Sequence, residues 1–141
     1  VLDVTETATV ERYQEAAGDR AEWRLAYLSN GEVDRARGEA TVALFPYRPE
    51  IDQSGALLRA LGAGVPVVAY DVGGLAEPVR RFGAGRVVPA GDITALTEAA
   101  RELLDDSTAL EEARSGAERA KQELTWEASA RAHLELYREL T

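Results

Sequence analysis

The feature that most constrains this chain is a series of short, uninterrupted apolar runs set between segments of helical spacing. Residues 41–45, 65–70 and 86–88 are such runs, and Val42-Ala43-Leu44-Phe45 and Val65-Pro66-Val67-Val68 show no polar alternation. A strand with one wet face alternates, so a continuous apolar run needs cover on both faces, as in a parallel sheet flanked by helices. Residues 1–4 and 24–28 read as two further strands, and helices are expected at roughly 8–17, 31–38, 55–63 and 74–82. This β-α-β-α order predicts a doubly wound α/β sheet.

From Gly91 onward no strand-like run appears, and three helices are expected. Asp92 caps the first, with Leu96, Ala99, Ala100, Leu103 and Leu104 as its apolar stripe. Ser107 or Thr108 caps the second, which carries Leu110, Ala113, Ala117, Ala120 and Leu124. Thr125 caps the third, where Trp126, Ala130, Leu134 and Tyr137 predict a buried face. With 141 residues and no linker or low-complexity tract, one compact domain over 1–141 is expected.

Composition narrows the function classes. A formal charge of -9 disfavours attraction to a polyanion, so nucleic acid is not an expected partner. The absence of cysteine excludes disulfides, thiolate metal sites and cysteine nucleophiles, and is compatible with a reducing, cytoplasmic setting. The single histidine, His133, reads as a surface residue, and no metal site or cofactor is expected. The longest apolar stretch, 65–70, is about a third of the ~20 residues that span a bilayer. The first residues lack the pattern of a signal peptide and do not begin with Met, so the chain is expected to be a piece of something longer.

Two strand-to-helix turns carry the chemistry. In the first, a strand ending at Phe45 leads through a loop with two prolines to Asp52-Gln53-Ser54-Gly55, which opens a helix. In the second, Tyr70-Asp71-Val72-Gly73-Gly74-Leu75 leads from a strand into a helix. Loops at the carboxyl ends of parallel strands are where ligands of open α/β sheets bind. A helix start there offers unpaired amides and partial positive charge, which suit a phosphate. The amides of Ser54, Gly55, Ala56, Gly73, Gly74 and Leu75 are therefore expected to face one diphosphate-sized crevice, with glycine at 55 allowing close approach. Taken singly, Ser54 also reads as a plain helix cap and Gly73-Gly74 as an ordinary turn.

Leu44-Pro46-Tyr47-Arg48, Asp52 to Gly55, Ala60-Leu61-Gly62-Ala63-Gly64-Val65-Pro66-Val67-Val68, Asp71 to Glu77, Val87 to Asp92 and Thr125-Trp126-Glu127 occur in order. Together they resemble the C-terminal, donor-binding half of the group 1 (family 4) glycosyltransferases. The resemblance implies a Rossmann-like half of a GT-B fold, holding a nucleotide-sugar donor, usually UDP- or GDP-linked. It implies a retaining, metal-free transfer that needs an acceptor-binding N-terminal domain absent here. The donor-binding residues it points to are Asp52, Gln53, Ser54, Gly55, Arg59, Gly73, Gly74 and Leu75, and it assigns no catalytic residue. One departure stands out: the family's second glutamate, on the helix before Ala-Gly-x-Pro, corresponds to Arg59. Eight residues earlier stands Ile51, or Asp52 if one residue is skipped near Gly55. Arg59 or Arg48 is expected to supply positive charge to a diphosphate. That departure keeps open an alternative, a non-catalytic Rossmann-like nucleotide-binding or assembly module.

Overall fold

The computed structural model describes residues 4–140, with side chains from residue 8 onward. It divides into two compact units, 1–33 and 34–141.

The first unit holds α1 (Val4–Ala17), a 3-10 turn (Gly18–Arg20), an irregular stretch and the beginning of α2 (Asn30–Glu39). The helices expected at 8–17 and 31–38 lie within α1 and α2. Ser29 and Glu32 form the capping box that starts α2: the Ser29 amide and hydroxyl donate to Glu32 Oε2 at 2.8 and 2.6 Å, and the Glu32 amide donates back to Ser29 Oγ. The same bonds hold the Glu32 carboxyl below its ordinary pKa. Of the strand expected at 1–4, residues 1–3 lie outside the described residues and Val4 opens α1. Residues 24–28 form no strand, and Tyr27 stands fully exposed. A strand exists through its ladder to a neighbour, and an apolar sequence without that ladder stays a loop. Among the described side chains of this unit none is buried.

The second unit is the folded core. Its order is β1 (Ala43–Phe45), α3 (Gly55–Gly62), β2 (Val67–Tyr70), α4 (Ala76–Phe82), β3 (Gly85–Val88), α5 (Ile93–Asp105), α6 (Ser107–Glu123) and α7 (Trp126–Glu139). The strands form a parallel sheet in the order β1-β2-β3, with Ala43 opposite Val67 and Val67 opposite Gly85. The α/β class with a parallel sheet is as the apolar runs predict. Every residue of the central strand β2 is buried, which is why its sequence does not alternate. Leu57 and Leu61 of α3, Val79 of α4 and Leu103 of α5 complete the core around Val67 and Val68.

Helix α6 reaches this core through small residues: Ala109, Ala113, Gly116, Ala117 and Ala120 are buried. At Gly116 it comes so close to the end of α4 that a Cβ there would stand 2.3 Å from the Gly83 carbonyl oxygen. Arg119 fixes the crossing by donating from Nη2 to the Phe82 carbonyl at 2.7 Å.

Asp92 and Thr125 cap α5 and α7 as expected. The cap of α6 is Asp106 rather than Ser107 or Thr108, because its carboxylate accepts from the amides of both Thr108 and Ala109, which makes Ser107 the first helical residue. The predicted burial of α7 is corrected: Trp126 is 89% exposed, Leu134 and Tyr137 are also exposed, and no described residue of α7 is buried. Leu104 and Leu124 are likewise exposed. An apolar stripe records that a face tolerates cover without fixing what covers it.

Candidate functional site

The site is built where β1 and β2 end. Beyond Phe45 the chain makes a loop of residues 46–53 and enters α3 at Gly55, with Ser54 as its cap. Ser54 Oγ accepts from the Leu57 amide at 3.1 Å and donates to Tyr47 Oη at 3.3 Å. Among the described residues Ser54 is the one buried polar side chain. The amides of Gly55 and Ala56 lie in the first turn, where a helix supplies no acceptor of its own. A Cβ at Gly55 would meet nothing within 4 Å.

The second turn docks on the first. Gly73 has φ +47°, and a Cβ there would fall 2.6 Å from both the Asp52 Cα and the Ile51 carbonyl oxygen. One residue on, the Gly74 amide donates to the Asp52 carbonyl at 2.7 Å, and a Cβ at Gly74 would lie 2.8 Å from Gln53 Nε2. The two loops expected to share a crevice are therefore adjacent. The expectation that all their amides face a ligand needs revision. Gly74 uses its amide on Asp52, Leu75 donates to Val72 at 3.1 Å, and α4 begins only at Ala76. The glycine pair acts first through close packing of one loop on the other.

Gln53, Ser54, Gly74 and Leu75 line a cavity of about 120 Å³ that continues between α3 and α4 to Arg81 and Phe82. Neither Arg59 nor Arg48 lines it, and among the described residues neither pairs with a carboxylate. Arg59 stands exposed in the last turn of α3. By contrast, Arg80 grips Asp71, the residue that follows β2, with two bonds of 3.1 and 2.6 Å, and these bonds hold the Asp71 carboxyl below the usual carboxylate range. Arg81 pairs with Glu123 at 3.2 Å.

Sequence reasoning missed the roles of Tyr47, Arg80 and Arg81. The Tyr47–Ser54 and Asp71–Arg80 pairs are seven and nine residues apart, spacings that no local periodicity announces. Among the described residues no group of three or more His, Cys, Asp or Glu is placed to hold a metal ion. His133 is exposed, with Nδ1 2.8 Å from the Ser129 carbonyl oxygen one turn earlier. Among the described residues no helix is long and apolar enough to cross a membrane.

Residues 6–106 match the family model for the group 1 glycosyl transferases. The chain is 32% identical over 93 residues to the 2-deoxystreptamine glucosyltransferase of Streptomyces kanamyceticus, covering 65% of this chain and 24% of that protein. It is 35% identical over 81 residues to the 2-deoxystreptamine N-acetyl-D-glucosaminyltransferase of Streptomyces fradiae, covering 57% and 19%. The structure is similar to sucrose-phosphate synthase from Thermosynechococcus elongatus, with a TM-score of 0.75 and 28% identity over 96% of this chain and 34% of that one. The chain thus spans about a quarter of the first relative and a third of the solved structure. With its Rossmann-like architecture and the ordered motifs around Gly55 and Gly73, the chain belongs to the group 1 glycosyltransferases.

Proposed function

We propose that this chain is the donor-binding half of a retaining glycosyltransferase that moves a sugar from a nucleotide-sugar, UDP- or GDP-linked, to an acceptor held by a further domain. The observation that carries the reading is the joining of the two strand-to-helix turns, through the Asp52–Gly74 bond, beside a cavity that Gln53 and Ser54 line at the start of α3. In this reading the amides of Gly55 and Ala56 hold the diphosphate. Asp52, Gln53, Ser54, Gly73, Gly74 and Leu75 shape the crevice wall, and Arg59, or Arg48 from the preceding loop, adds positive charge. Preorganised amides aimed at a diphosphate stabilise the charge that grows on it as the sugar leaves, and no metal is required for that.

Ligand pockets for molecules of this size usually enclose about 300–1,000 Å³, so a cavity of about 120 Å³ supplies one wall. The rest of the enclosure is assigned to the acceptor-binding domain, and the exposed apolar face of α7 is surface available to it. The chain alone is accordingly expected to bind donor without transferring sugar, since reacting groups are neither positioned nor dried. The assigned setting is the cytoplasm, where nucleotide-sugars are made.

Arg59 favours a second reading. The exposed arginine where the family carries an acid fits a module that retains the nucleotide fold without catalysis. Calorimetry of the chain with UDP and GDP tests the donor reading. Binding by the wild type that is lost in Gly55→Val supports it, because the added side chain occupies the open space in front of the first turn. Equal affinity in the two proteins would place the ligand elsewhere. No binding of either nucleotide by the wild type would remove the donor reading.

A further inference from the structure

Ser54 has a second bond that its capping role does not require. As a cap, its Oγ needs only a lone pair for the Leu57 amide, at 3.1 Å. Its own proton still needs an acceptor, because the residue is only 8% exposed and a buried hydroxyl without a partner is costly. Tyr47 Oη, at 3.3 Å, is that acceptor. The tyrosine is itself held in place, since its ring meets Phe45, the last residue of β1, edge-on with centroids 5.8 Å apart and planes at 62°.

We infer that Tyr47 is a positioning residue for the anion-binding turn, fixing the Ser54 hydroxyl and through it the direction of the Gly55 and Ala56 amides. This rests on the donor-site reading above and names a part of it that neither glycine motif contains. A continuous path runs from the sheet through the Phe45 ring, the Tyr47 ring and hydroxyl, and Ser54 Oγ to the first turn of α3. The loop it spans, residues 46–53, is otherwise tied down by the Ile51 to Arg48 backbone turn and by the Asp52 to Gly74 bond. Neither of those reaches Ser54. Without the Tyr47 hydroxyl, Ser54 Oγ is held by the Leu57 amide alone, and the turn keeps its sequence while losing one of the two bonds that fix its aim.

Tyr47→Phe removes the hydroxyl and keeps the ring on Phe45, so folding is retained. Two readouts on the full 141-residue chain decide the role: hydrogen exchange of the Leu57 amide, and affinity for UDP by calorimetry. The expected result is exchange faster by about three- to tenfold and UDP binding weaker by a similar factor, with the melting temperature shifted by at most a few degrees. Unchanged exchange with unchanged affinity overturns the inference. Unchanged exchange with weaker binding also overturns it, because Tyr47 would then touch the ligand itself. If the wild-type chain binds neither UDP nor GDP, the donor reading fails, and with it the purpose assigned to Tyr47. The exchange of Leu57 then reports separately whether the hydroxyl orders the turn.

Discussion

Gly73→Ala tests the contact on which the whole crevice depends. At φ +47° an alanine costs about 1–2 kcal/mol in backbone conformation alone. Its Cβ would also lie 2.6 Å from the Asp52 Cα and the Ile51 carbonyl oxygen and 2.8 Å from the Asp52 carbonyl oxygen, all backbone atoms that cannot swing away as a side chain does. Ordinary contact begins near 3.4 Å, so the two loops must part by most of an ångström. Such a shift breaks the 2.7 Å Gly74–Asp52 bond, about another 1 kcal/mol, and adds overpacking strain of about 1–3 kcal/mol. The expected cost is about 3–6 kcal/mol, or roughly 12–24 °C in melting temperature for a unit of this size. Urea unfolding followed by circular dichroism measures it, with Gly91→Ala as the control. Gly91 also has positive φ, +78°, but a Cβ there meets nothing within 4 Å, so it reports conformational strain by itself. If the two substitutions cost the same, the loops are not in the contact described, and the crevice built from them falls with it.

Three further outcomes follow from the same structure. Gly116→Ala would stabilise an ordinary helix by up to about 1 kcal/mol, but here the new methyl would stand 2.3 Å from the Gly83 carbonyl, so a loss of several degrees in melting temperature is expected. Trp126→Ala should shift the melting temperature by no more than a degree or two, because the indole is exposed; a large drop would mean that α7 is packed. Hydrogen bonds from Arg80 to Asp71 and from Arg86 to Glu102 depress both carboxyl pKa values, so their contribution to stability is full above the ordinary carboxylate range, declines from there, and is lost as pH falls through the lowered folded values. Glu102→Gln should therefore flatten the acid limb of a stability profile below roughly pH 5, whereas an unchanged limb would show the pair to be without effect.

The order of β1, β2 and β3 was legible because each strand is a short apolar run, although only β2 is buried throughout and Leu44 of β1 is half exposed. Val67, Val68, Ala69 and Tyr70 are buried on both faces, and their unbroken apolar run records it. The caps at Asp92 and Thr125 were legible for the same reason, since a cap is made within three residues. The misreadings needed a partner that the local sequence does not name. Residues 24–28 carry strand-forming residues but have no ladder, and α7 carries an apolar stripe that stays exposed. Within the site, the two turns could be found by their glycines, but their docking could not. It depends on a bond between Asp52 and Gly74, two segments separated by a helix and a strand. That bond also removes an amide which, viewed along the sequence alone, stood available for a phosphate.

The glycines of the two turns therefore carry different kinds of information about function. Gly73 must be glycine for the fold to close, whether or not a ligand ever enters, because its φ and its neighbours leave no room for a side chain. Gly74 is less constrained, because the Gln53 Nε2 that a Cβ would meet ends a flexible side chain and the Asp52 carbonyl oxygen lies 3.2 Å away. Their presence is what a sound scaffold requires, and it speaks only indirectly of a donor. Gly55 is different. Its φ is unexceptional and the space before it is empty, so nothing within the described fold asks for glycine there, and alanine would be the better residue for a helix. Gly31, Gly38 and Gly62 are helical glycines with the same open space, so what sets Gly55 apart is its place at the start of α3, beside the docked second turn. The comparison of Gly55→Val with Gly73→Ala separates the demand of a ligand from that of the fold. The first is expected to affect nucleotide binding at little cost to stability, and the second to affect stability before binding can be asked about at all.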